Sequence, residues 1–272
     1  MKLRVQTDNF GNERVLKYEV IKRKYTYALH MHQFAELVIP LVGSLCVKTR
    51  DRSEALSVGK AAFIFPYQEH AYISEEYNEL AIITFHPSLI AELCKNLNGF
   101  VGERVVFEPS KTVLEIIKER ILAGDKFTLL DAKGYIYLLL NNFLTQTELR
   151  RSSKNDDLFI KIIKYIAENT SRNISADDIS ENVSYSKNAV SSAVKGCYGD
   201  NLRALINAIK MNKAMALLRD SDTPIYKISL ELGYKSLITF QRQFKELTNF
   251  TPSEYRKIGK ISKRVPHVEI IF

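Results

Sequence analysis

The C-terminal half of the 272-residue chain repeats itself at a spacing of about fifty residues. A repeat of that length flags a duplicated supersecondary unit, so it constrains the fold more than any single motif. Ile179-Ser180 recurs as Ile228-Ser229, and Tyr185 as Tyr234, each 49 positions on. Past one inserted residue, Val190, Val194 and Lys195 recur as Phe240, Phe244 and Lys245, and Leu205 as Tyr255, each 50 on. Each copy reads as helix, short turn, helix. The first opens on Ser175 with Asp178 three later, a variant capping box; the second opens on Thr223-Pro224, an N-cap with proline at N1. Between the copies, "LRALINAIKMNKAMALLR" predicts one helix of about 25 Å at a 1.5 Å rise.

On a helix from Lys235 to Leu247, Leu237, Phe240, Phe244 and Leu247 form one apolar stripe, expected to face the core. The opposite face carries Ile238, Thr239, Arg242 and Lys245, with Gln241 at the boundary. The first copy puts Val190, Val194 and Cys197 inside and Asn188, Ser192 and Lys195 outside, with Ser191 at the edge. An apolar back and an Arg/Gln/Lys front is how a recognition helix is built. Arg binds guanine O6/N7 bidentately, Gln reads adenine, Lys reaches phosphate, and an exposed Ile meets a thymine methyl. Charge agrees. Residues 159–264 carry 18 Lys+Arg against 10 Asp+Glu, whereas residues 1–158 carry 21 against 20. The basic excess sits with the repeat, as expected of a nucleic-acid module beside a neutral partner domain.

The first hundred residues predict short strands: "VLKYEVIKR", "FAELVIPLV", "SLCVKTR", "AAFIFP" and "LAIITF", punctuated by Gly43-Ser44 and Gly59. They suggest a small antiparallel barrel or sandwich. From about Thr112 the period turns helical in "TVLEIIKERIL" and "AKGYIYLLLNNFLTQTEL". In the second run, Tyr135, Leu138, Leu139, Phe143 and Leu144 make a stripe that is either core or a dimer seam. "RRSSKNDD" reads as a linker. The expected plan is α+β: a sensor and dimerisation domain over 1–150, a linker over 151–157, an all-α domain over 158–264 and a tail over 265–272. The apolar end "VPHVEIIF" has no evident role.

"HMHQFAELVIPLVG" places His30, His32, Glu36 and Gly43 in the order HxHx3Ex6G, and "GKAAFIFPYQEHAY" adds His70. Three histidines and one glutamate on neighbouring strands could ligate a divalent metal. They could equally line an effector pocket with walls from Tyr27, Phe34, Phe65 and Tyr67, or bond structurally. Metal is the less expected of these, and no cofactor is expected. Cys46, Cys94 and Cys197 are widely spaced, which suggests neither a disulfide framework nor a zinc site. No apolar run reaches the ~18 residues of a membrane span. A cytoplasmic protein is expected.

Residues 158–257 resemble the DNA-binding domain of the AraC/XylS transcription regulators. The resemblance lies in "ISLELGYKSLITFQRQFKELTNFTPSEYR", in the upstream "ISADDISENVSYSKNAVSSAVKGCYGDNLRALINAIKMNKAMALLRDSDTPI", and in their spacing. It implies two helix-turn-helix units in successive major-groove segments, with base contacts near Asn188, Ser191 and Ser192 and near Ile238, Gln241 and Arg242. The candidate DNA-facing set adds Lys187, Lys195, Ser236, Thr239 and Lys245. Ser192 stands where many relatives have Arg, so the first unit is expected to read fewer bases or to lean more on phosphate contacts. The N-terminal pattern resembles a cupin barrel, the usual sensor of this family. Gln68 replaces the expected Gly, and His70 comes one residue early. The resemblance implies a small effector (sugar, fatty acid or small anion), promoter DNA and, for an activator, contact with RNA polymerase; the apolar helix over 132–148 points to a homodimer. The alternatives are a metal-dependent cupin enzyme with an appended helical domain and an architectural DNA binder without ligand.

Overall fold

In a computed structural model, residues 3–6, 16–92, 97, 99–123, 128–262 and 268–269 are described. Cys94 and most of the tail lie outside them. They divide into two compact units, 16–152 with 268–269, and 153–262 with 3–6, so the boundary falls between Ser152 and Ser153. The short strand β1 (Arg4–Val5) counts with the second unit. Among the described residues, no helix is long and apolar enough to cross a membrane.

The first unit is a two-sheet barrel with helices on one side. Its larger sheet holds β2 (Leu16–Arg23), β4 (Ala35–Val42), β7 (Ala61–Ile64), β9 (Asn78–Phe85), β11 (Val106–Phe107) and β13 (Val268–Glu269), ordered β11-β7-β4-β9-β2-β13. The facing sheet runs β3 (Tyr27–Met31), β8 (His70–Ile73), β5 (Ser44–Thr49), β6 (Ser53–Ser57). Side chains alternate along a strand, and here both faces of the larger sheet are buried. Val38, Ala62, Ile64, Leu80 and Ile82 meet Leu45, Val47, Leu56 and Tyr72 between the sheets. Leu37, Ile39, Phe63, Ala81 and Phe85 point the other way, against α1 (Lys111–Ala123) and α2 (Leu129–Gln146). Burial on both faces explains why "FAELVIPLV" is apolar apart from Glu36.

On α2 the buried face is Ala132, Ile136, Leu139, Leu140 and Phe143. The apolar stripe is therefore core, while Leu138 turns outward, half exposed. The tail acquires a role as well: Val268 and Glu269 pair antiparallel with Tyr18 and Lys17, so this edge of the sheet is covered by β13.

The boundary between the units falls inside the expected linker, but most of that stretch is built into elements. β12 (Leu149–Arg151) pairs with β10 (Phe100–Gly102), and α3 (Lys154–Glu168) starts at a full capping box of Ser153 and Asp156. The second unit is all helix apart from β1: α3, then α4 (Ala176–Val183), α5 (Lys187–Tyr198), α6 (Leu202–Asp220), α7 (Ile225–Glu231), α8 (Leu237–Thr248) and α9 (Pro252–Ser262). α4 and α5 form one helix-turn-helix and α7 and α8 the other, joined by α6. Ser175 and Asp178 form the expected box on α4. Pro224, by contrast, is the N-cap residue of α7 and not its first helical residue, and no side chain caps that end.

Candidate functional site

Both candidate reader helices, α5 and α8, are framed by local chemistry. Ser186 accepts from the Ala189 N–H to start α5, and Ser236 accepts from the Thr239 N–H to start α8. The helices stop at left-handed residues, Gly199 and Asn249. The turns correspond as well: Ser184 (φ 57°) ends α4 where Gly233 (φ 71°) follows α7, again 49 positions on.

Of the candidate DNA-facing set, Lys187, Asn188, Ser191, Ser192, Lys195, Ser236, Ile238, Gln241, Arg242 and Lys245 are exposed, and Thr239 is half-buried. Ile238 is 78% exposed, high for an isoleucine on a helix whose other face holds Phe240 and Phe244 fully buried. Arg242 lies 3.9 Å from Glu246, too loose an ion pair to hold it. Lys187 pairs with Asp177, both side chains exposed. The inward stripe of α8 is narrower than expected. Leu237 and Leu247 are 38% and 49% exposed, because a helix of this length reaches the core only with its central turns. On α5, Val190, Ala193, Val194 and Tyr198 are buried, while Cys197 is half-buried.

The second candidate site lies inside the barrel. His30, His32, Glu36 and His70 are all buried. β3, β4 and β8 position them, with His32 just past the end of β3. Glu36 is the hub. One carboxylate oxygen lies 3.0 Å from His32 Nε2 and accepts from Thr84 at 3.4 Å. The other accepts from the Tyr72 hydroxyl at 2.7 Å and lies 3.5 Å from His70 Nε2. Burial works to raise the Glu36 pKa, but His32 and His70 outweigh it, and the carboxyl ends well below its ordinary range. Burial, aided by His70, pushes His30 far below the usual imidazole value. Burial and the Glu36 charge push Tyr72 up.

Each imidazole turns Nδ1 to a backbone carbonyl: His30 to Ala28 (3.0 Å), His32 to Phe34 (3.1 Å), His70 to Gln68 (2.9 Å). A carbonyl only accepts, so each Nδ1 carries the proton. This is the outer bond that fixes a metal-ligating tautomer. One ring nitrogen from each histidine falls within 4.8 Å of the others, and His70 Nε2 is buried with no hydrogen-bond partner among the described residues. Tetrahedral Zn–N bonds would need separations of about 3.4 Å, so closure by roughly 1 Å would seat a cation. His30 and His70 turn free Nε2 atoms to such an ion, and His32 completes the set for a divalent metal only by giving up its Nε2 hydrogen bond to Glu36.

Tyr27 stands edge-on to His30 and Phe34 lies beside His32, so both belong to the site. Tyr67 (φ 61°) donates its N–H to the His32 carbonyl. Phe65 belongs elsewhere: it packs on Phe63 and Phe143 beneath the helices. Tyr72 and Thr84, which hold Glu36, were not apparent from sequence; their positions in alternating strands, in register with the cluster, are the signal.

A family model described as "AraC-like ligand binding domain" matches residues 15–132, and one described as "Helix-turn-helix domain" matches 179–258. The chain belongs to the AraC/XylS family. The xylose operon regulatory protein of Escherichia coli (strain K12) is 32% identical over 107 residues, 39% of this chain and 27% of the relative. The melibiose operon regulatory protein of the same strain is 25% identical over 123 residues, 45% of this chain and 41% of the relative. The chain thus matches well under half the length of either. In fold it is similar to ToxT from Vibrio cholerae, with TM-score 0.61 at 15% identity over 91% of this chain and 99% of that one. Another ToxT structure, from Vibrio cholerae strain SCE256 with unsaturated fatty acid bound, gives TM-score 0.61 at 16% identity over 90% of this chain and 95% of that one.

Proposed function

We propose that this protein is a sequence-specific DNA-binding regulator of transcription, controlled by a small effector in the N-terminal barrel, and not an enzyme. What carries the reading is the pair of capped helices, α5 and α8, exposing Asn188, Ser191 and Ser192 on one and Ile238, Gln241 and Arg242 on the other. Such helices read base edges, while lysines on the same faces take phosphate. Residues 16–152 are assigned to effector sensing and 153–262 to DNA, in a cytoplasmic homodimer. Leu130 (81% exposed) and Leu138 on α2 offer apolar surface for the second copy. RNA polymerase is the further partner if the protein activates.

Arg242→Ala is expected to cost about 1–3 kcal/mol and relax specificity at one or two base pairs, whereas Lys195→Ala weakens all sequences alike. Gel shifts on duplexes selected from a random library check both. Unchanged sequence preference in Arg242→Ala would remove it as a base reader.

Similarity to regulators of xylose and melibiose operons and to a fatty-acid-bound fold relative supports a sugar or a fatty acid as effector. An effector must bind the two states of the protein unequally to change DNA affinity. His32→Ala should therefore remove the response and leave basal affinity within a few-fold.

The Nδ1–carbonyl bonds favour a second reading, in which the site takes a divalent metal held by His30, His32 and His70. Bound there, the ion would supply positive charge facing Glu36 and a place for an anionic effector. Zn²⁺ is then expected to raise the melting temperature of the wild-type chain, one equivalent sufficing, and to leave His32→Ala unmoved. Equal shifts in both proteins would count against it.

A further inference from the structure

Lys210 lies near the middle of α6 and is only 7% exposed. Its ammonium donates to two backbone carbonyls, Arg172 at 2.9 Å and Leu232 at 2.8 Å. Arg172 stands in the loop between α3 and α4, at the entrance to the first helix-turn-helix. Leu232 caps α7, inside the turn of the second. The same ammonium sits 5.6 Å from the centre of the Tyr234 ring.

Other bonds converge on these two turns. Lys213, one turn along α6, donates to Thr170 at 3.1 Å. The Tyr234 hydroxyl lies 2.8 Å from Asn207 Oδ1 on α6 and 3.0 Å from Gln243 Oε1 on α8. Gly233 approaches so closely that a Cβ there would come within 2.7 Å of the Ser171 carbonyl oxygen. The turn 232–234 of one unit is thereby docked on the turn 170–172 of the other.

A buried ammonium is costly, and a Leu or Met would fill the interior of α6 without that cost. What no apolar side chain can do is donate to carbonyls from both units at one point. Burial lowers the Lys210 pKa, the expected mark of a desolvated ammonium.

We propose that Lys210 is a positioning residue that locks the two helix-turn-helix units together, so that α5 and α8 act as one reader with a fixed spacing. This rests on the DNA-binding reading. A hinge at this point would leave α6 as the sole connection and let each unit find its own groove segment.

The test uses the full-length chain and a two-part duplex selected by it from a random library. Affinity is then measured for that duplex, for one with a base pair inserted between its two parts, and for one with either part scrambled. The wild type is expected to lose at least about ten-fold on insertion. Lys210→Met should keep its circular dichroism spectrum and bind the scrambled duplex within about three-fold of wild type, while its insertion penalty falls below about three-fold. Lys210→Arg should restore the penalty. Tyr234→Phe, which removes only the hydroxyl, should lower the penalty partially and covers the case in which Lys210→Met fails to fold. An undiminished penalty in the folded variants would overturn the proposal alone. Failure of the wild type to select any duplex would overturn the DNA-binding reading, and the proposal with it.

Discussion

Phe244→Ala is expected to unfold the second helix-turn-helix and abolish specific DNA binding. Phe244 is fully buried in a cluster with Met211, Ala214, Leu218, Ile228, Leu232 and Phe240. Its ring packs against Phe240 at 5.9 Å and edge-on against Tyr255 of α9 at 5.5 Å. Truncation removes contacts from α6, α7, α8 and α9 together, and such a change costs about 3–5 kcal/mol. Against a domain stability of about 5–15 kcal/mol, that removes a large share of the total, and nearly all of it at the lower end. Calorimetry of the full-length chain should show the helical transition falling steeply while the barrel transition stays in place. Phe244→Leu should retain most of the stability. A loss below about 1 kcal/mol in Phe244→Ala would mean that the cavity collapses and that the cluster does not hold the unit together.

The helical unit is legible in sequence because its signals are local. Caps, turn residues and a 3.6-residue period lie within a few positions of the structure they determine, and duplication states them twice. Where the reading fails there, the signal is still present. Ser153 and Asp156 repeat the Ser-x-x-Asp pattern of Ser175 and Asp178, and so mark a helix start inside a stretch whose polarity suggests a linker. Lys210 is different. A lysine within "IKMNKAM" reads as solvent-facing, and only the tertiary approach of two loops buries it. The barrel is less legible for the same reason. β3 and β8 carry His and Tyr at inward positions, so the alternation that announces a strand is broken where the site lies. Phe65 follows Ile64, which faces the space between the sheets, and so turns to the opposite face; this depends on register, not on composition.

Glu36→Ala is expected to destabilise the barrel by about 3–5 kcal/mol, the cost of breaking a buried charged pair by removing one partner. The carboxylate is the common acceptor for Tyr72, Thr84 and His32. Without it those groups stay buried with nothing to accept their protons, each at a cost of about 1–3 kcal/mol where water cannot enter. Removing the Tyr72 hydroxyl as well should recover part of the loss. In a double-mutant cycle, Glu36→Ala with Tyr72→Phe should therefore cost less than the sum of the single changes. The pH dependence has a definite sign. Glu36 is held below its ordinary range in the folded state, so its contribution is fully present above the unfolded carboxyl pKa, about 4.3. It is lost as pH falls from there through the depressed folded value. Thermal melts of wild type and variant should therefore differ most at neutral pH and converge in acid. A gap that stayed constant down to pH values well below 4 would mean that Glu36 acts through packing and not through its charge. The helical transition serves as the internal control in the same melts: it should not respond to Glu36→Ala, just as the barrel transition should not respond to Phe244→Ala.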